Sequence, residues 1–150
     1  MELTPTFEVR EPMQMFGYAW HGSDNKELPL LWADFGPRLG PFLEASPGGA
    51  SYGVCRGMDQ DGNFDYLVAI ARGPGMEPSD GYQVWDIPGG RWAVFPVPLQ
   101  QIHQAIGAIY DQWLPQSGIA LREGPMVERY PPDFCPDSEH NVLDILIPVF

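Results

Sequence analysis

The sequence predicts an α+β protein built as a tandem pseudo-symmetric repeat of strand-strand-helix-strand-strand units. Together the units form a largely antiparallel sheet with two helices on one face and a central cleft. Three observations lead there. Short runs alternate in the strand period, and two longer stretches carry apolar residues at helical spacing. The second half of the chain also repeats the order of the first at an offset of about 74 to 75 residues.

The elements follow in order. Thr6–Arg10 and Met15–His21 alternate as strands, with Phe16, Tyr18 and Trp20 on one face. Leu30, Leu31, Trp32, Phe35 and Leu39 fall at helical spacing, in a helix that Pro37 and Pro41 must kink or end. Ser51–Cys55 and Phe64–Ala71 form a hairpin around Asp59-Gln60-Asp61-Gly62-Asn63. Residues 73–80, rich in Gly and Pro, link a first repeat of about 5–72 to a second of about 81–150. The second repeat brings strands at Tyr82–Asp86 and Arg91–Val97, then a helix from about Pro98 to Leu114 with Ile102, Ile106, Ile109 and Trp113 on one stripe. Pro115 and Gly118 are expected to stop that helix, and Met126–Tyr130 and Val142–Val149 supply the last strands.

Laying the copies over each other sets Phe7 on Tyr82, Trp32 on Ile106, Phe35 on Ile109 and Pro41 on Pro115. In this register Glu128 takes the position of Val54. A carboxylate where the sister copy keeps a branched aliphatic needs a reason, because burying an unpaired charge is expensive.

Composition narrows the function. Hydrophobic residues make up 44 % of 150 residues, enough for one compact domain. No apolar run approaches the roughly 18 to 20 residues that span a bilayer, and the start Met-Glu-Leu-Thr-Pro has no signal-peptide pattern. Two cysteines make no disulfide framework, so a reduced cytoplasmic setting is expected. Twenty acidic against eight basic side chains, a net charge of −12, repel phosphate backbones and argue against direct nucleic-acid binding. Asp59, Asp61, Asn63 and Asp65 alternate like a calcium loop, but the glycine is misplaced and a plain turn is expected. His21, His103 and His140 show no metal spacing with Cys55 or Cys135, and neither metal nor cofactor is implied.

Several ordered pieces carry a resemblance. They are Leu31-Trp32-Ala33-Asp34-Phe35 and Tyr52-Gly53-Val54 in the first half, then Ile87-Pro88-Gly89-Gly90-Arg91-Trp92-Ala93-Val94-Phe95. Ile109-Tyr110-Asp111-Gln112-Trp113-Leu114-Pro115, Val127-Glu128-Arg129-Tyr130 and Asp144-Ile145-Leu146-Ile147-Pro148-Val149 complete the set. Together they resemble the GyrI-like effector-binding domains, found also at the C-terminal end of bacterial AraC-type and MerR-type regulators. The resemblance implies a tandem fold whose cleft takes cationic aromatic compounds, with a glutamate at the position of Glu128 as countercharge. Because no helix-turn-helix precedes the domain, the chain is expected to be a stand-alone member.

The expected site is Glu128 among Trp20, Trp32, Phe35, Trp92 and Tyr110. Ring faces attract a delocalised cation, and a buried carboxylate neutralises it where the dielectric is low. The competing structural role for Glu128 is an ion pair with Arg129 or Arg91. The resemblance implies two other uses. One is hydrolysis of cyclopropane-bearing genotoxins, with Glu128 activating water and Tyr110 as its hydrogen-bond partner. The other is inhibition of a topoisomerase through the acidic surface; a regulator is the alternative protein partner.

Overall fold

A computed structural model describes residues 3–79 and 81–150. Its strands are β1 (Thr6–Arg10), β2 (Met13–Gly22), β3 (Ser51–Arg56), β4 (Phe64–Ala71), β5 (Tyr82–Ile87), β6 (Gly90–Pro98), β7 (Met126–Tyr130) and β8 (Val142–Pro148). All pair antiparallel in one sheet, in the order β1-β6-β8-β7-β3-β4-β2-β5. The order is palindromic about the β7–β3 pair, as a duplicated unit requires, and the first strand of each unit sits at the far edge of the other: β1 on β6, β5 on β2.

Chain connectivity forces this sheet to roll. β1 and β2 stand first and seventh in the order, yet only Glu11 and Pro12 join them. Such a step spans about 10 Å at most, whereas six strand spacings in a flat sheet are about 29 Å. Pro88 and Gly89 impose the same constraint between β5 and β6. The two connections meet: a Cβ on Gly89 would lie 2.7 Å from Pro12 Cδ. Across the hollow, Arg129 on β7 reaches Glu8 on β1 at 3.0 Å, over the two strands between them.

The roll gives the sheet two unlike faces. Its inner face packs on itself, with Met15, Tyr52, Val54, Leu67, Trp85, Trp92, Val94, Val127 and Leu146 in one cluster. The outer face carries the helices. On the first half these are α1 (Leu28–Phe35), a 3-10 turn at Pro37–Leu39 and α2 (Gly40–Leu43), which cover Phe16, Tyr66, Val68 and Ile70. On the second half α3 (Ile102–Ala108) and the turn that follows it cover Ala93, Phe95, Ile145 and Ile147 through Ala105 and Ile109. No helix among the described residues is long and apolar enough to cross a membrane.

Two expectations change here. Pro115 does not stop the second helix, which continues through a π turn at Ile109–Trp113 into α4 (Leu114–Ser117) and ends at Gly118 in the left-handed region. The widened turn relieves the clash that Pro115 would otherwise make with the carbonyl four residues earlier. The overlay of Glu128 on Val54 does not hold either. Val54 faces the inner cluster together with its ladder partner Val127, while Glu128, opposite Gly53, faces the outer side, so the two are not equivalent positions. A slip of one residue exchanges the faces of a strand.

Candidate functional site

The central β3–β7 pair lies where the two helical layers meet, and Glu128 stands on it facing outward, 5 % exposed. Its neighbour across the ladder is Gly53, which has no side chain to fill the space. The Tyr66 ring occupies that space. A Cβ on Gly53 would collide with the Tyr66 hydroxyl and come within 2.5 Å of Glu128 Oε1.

A chain of donors converges on one carboxylate oxygen. Trp32 Nε1, from α1, donates to Tyr66 Oη at 2.8 Å, and Tyr66 Oη donates to Glu128 Oε1 at 2.6 Å. Tyr130 Oη donates to the same Oε1 at 2.9 Å. Among the described residues none donates to Oε2, and no cationic side chain pairs with Glu128. The ion pairs weighed from sequence are not made. Arg129, one residue on and therefore on the inner face, binds Glu8 and Asp144, and Arg91 donates to the Phe150 carbonyl.

Electrostatics follow from this burial. Desolvation pushes the Glu128 carboxyl above its ordinary 4.5, and the two hydroxyls pull it part of the way back. Tyr66 and Tyr130 are raised by burial and then by the Glu128 charge, so both stay protonated and act as donors. Cys55, two residues from Gly53 on the same face, is pushed up to about 12 by burial and then by Glu128. Its thiol is therefore neutral and unreactive. Tyr110, on the π turn, is raised to about 12 by burial and then by Cys55.

The predicted residues divide on this geometry. Trp32 is in the donor chain and its ring stands edge-on to Tyr130, centroids 5.2 Å apart. Tyr110 approaches the site from the other helix but does not bond Glu128; Tyr66 and Tyr130 take that place. Trp20 lies across the ladder from Tyr66 and packs on Phe64. Phe35 stacks on Tyr18, 4.4 Å between centroids, in an adjoining cluster with Tyr82. Trp92 is not at the site: the parity of β6 turns Ala93 toward the helices and Trp92 to the inner face.

Sequence reasoning missed Tyr66, Tyr130 and Gly53. Tyr130 carried a signal, because a residue two positions from Glu128 on a strand shares its face. Tyr66 and Gly53 carried none, since only the β3–β4 and β3–β7 registers bring them there.

A model of the GyrI-like small molecule binding domain matches residues 3–149. No curated protein sequence matches the chain significantly. Among solved structures, a putative transcription regulation protein from Staphylococcus aureus MU50 superposes with a TM-score of 0.72 at 17 % identity, covering 99 % of each chain. SAV2435 bound to tetraphenylphosphonium gives 0.71 at 18 % identity, over 100 % of this chain and 94 % of its own. The C-terminal domain of EcmrR gives 0.72 at 14 % identity, over 100 % and 99 %. At these identities the likeness is one of fold.

Proposed function

The chain belongs to the GyrI-like family of small-molecule-binding domains, and from that premise we propose that it captures cationic, amphipathic aromatic compounds against Glu128. One observation carries the reading: a buried carboxylate whose Oε1 takes both available hydroxyls while Oε2 has no partner among the described residues. A cation brought to Oε2 supplies the countercharge that the fold withholds. Trp32, Tyr66, Tyr130 and Tyr110 supply ring faces and edges around it, suited to a delocalised positive charge. That SAV2435, of the same fold, is seen with a lipophilic phosphonium ion supports this choice of ligand class.

Glu128 is nearly closed off, so binding displaces Trp32 and with it α1. That segment is suited to move, being split by Pro37 and Pro41 into short pieces that expose much of their surface, with Leu30 72 % exposed.

Calorimetric titration with tetraphenylphosphonium tests the reading. Glu128→Gln is expected to weaken binding by about thirtyfold or more, the scale of removing one partner of a desolvated charge pair. Neutral triphenylphosphine oxide is expected to lose less than about threefold. Equal affinity of wild type and variant for the phosphonium would overturn the proposal.

A further inference from the structure

We propose that the hollow side of the rolled sheet holds a second binding site, for an apolar molecule that carries a carboxylate. At the mouth of the roll, between the β1–β2 and β5–β6 connections and the loop at Pro47 and Gly48, lies an open depression of about 890 Å³. Met13, Tyr52, Ile87 and Pro88 form much of its wall. Beside it, sharing Arg10, Met13, Tyr52, Ile87 and Pro88, is a small space of about 10 Å³ that Met15, Val127, Leu146 and Trp92 also line, with the acidic Glu11 among its lining.

Two features say what this space lacks. Trp92 is 2 % exposed, and its Nε1 has no acceptor among the described residues. A buried donor left unpaired is destabilising, so an acceptor that reaches it from outside the chain is favoured. Arg10 lines both the depression and the smaller space. One of its terminal nitrogens binds Glu8 at 2.8 Å, but among the described residues the other meets only Met13 Sδ at 3.9 Å, a weak acceptor. A carboxylate there replaces a thioether with a charge-assisted partner.

Charge points the same way. Of the eight Lys and Arg set against twenty Asp and Glu, Arg10 and Arg72 line this one depression. Arg72 is already held by Glu77, Gln14 and the Met76 carbonyl, which leaves Arg10 as the guanidinium with a weakly occupied nitrogen. The depression's acidic residue, Asp86, is already bound by Gln14 Nε2 at 2.8 Å. The site is independent of Glu128 and opposite to it in preference. Tyr52 and Val127 face the hollow, whereas the next residues, Gly53 and Glu128, face the helices.

Octanoate is the probe, followed by the indole N–H signals of ¹⁵N-labelled protein. The Trp92 signal, assigned through backbone connectivities and by its loss in Trp92→Phe, is expected to shift and saturate at low-millimolar octanoate. Arg10→Gln and the uncharged probe octanol are each expected to bind about fivefold more weakly. Glu128→Gln is expected to bind octanoate as wild type does, so the result stands or falls apart from the phosphonium experiment. A Trp92 signal that stays fixed to about 20 mM octanoate would overturn the proposal. So would octanol binding as tightly as octanoate, or loss of octanoate binding in Glu128→Gln.

Discussion

At the scale of single residues, the site turns on an uneven division of hydrogen bonds at Glu128. Both tyrosine hydroxyls end on Oε1, so the carboxyl is held in place without being neutralised. This has a consequence for stability. Burial raises the folded-state pKa above the ordinary 4.5, so the folded protein binds more protons than the unfolded chain between the two values. Stability on this account is full below about 4.5 and declines as pH rises through the shifted value. Melting curves of wild type and Glu128→Gln should therefore separate with rising pH, the variant gaining relative stability toward neutrality; parallel curves would contradict it. On the proposed reading, the same linkage is expected to make phosphonium binding release a proton and tighten as pH rises. Gly53 matters as much as the charged group, because any side chain there takes the place of the Tyr66 hydroxyl.

At the scale of elements, the two helical layers differ in how firmly they are built. The second runs continuously from α3 through the π turn to α4 and buries Ala105, Ala108 and Ile109. The first is interrupted at Pro37 and Pro41 and buries only Leu31 and Leu39, so it is the layer expected to yield on the proposed binding. On the inner face, edge strand β1 is tied to β7 by Arg129, which also holds Asp144 at 2.9 Å. The Arg129 hydrogen bond is the largest influence on Glu8 and draws its carboxyl below the ordinary 4.5. A lowered carboxylate stabilises above its ordinary pKa and ceases to as pH falls through the lowered value. Glu8→Gln is expected to lower Tm by about 2–4 °C at neutral pH. That difference should vanish at acid pH; a Tm deficit unchanged by pH would remove the ion pair from the account.

At the scale of the whole molecule, the exchanged edge strands bind the two units into one body. β1 cannot leave β6, nor β5 leave β2, without opening the hollow that both units share. Calorimetry is expected to give a single cooperative unfolding transition with matching calorimetric and van't Hoff enthalpies. Two separable transitions would show that the units fold apart. Rolling also sorts chemistry by face: a buried carboxylate under the helices on one side, guanidinium groups around an apolar hollow on the other. A single sheet thus separates the two proposed sites, for which ligands of opposite charge are expected.

Much of this was legible in the sequence. Alternation, a hairpin signal and the repeated order placed the eight strands, the helical stripes placed both helical layers, and the family resemblance pointed to Glu128. Each of these depends on neighbours along the chain, which a sequence displays directly. What the sequence could not supply was register between distant strands. The overlay matched Glu128 to a residue of the opposite face, because a shift of one residue decides which face a side chain takes. The same parity sent Trp92 to the inner face and left Tyr66 unnoticed. Local patterning determined the elements, their order and the residue that carries the charge. Which groups meet that charge, and the hollow behind it, were decided by tertiary pairing and by loops too short to span a flat sheet.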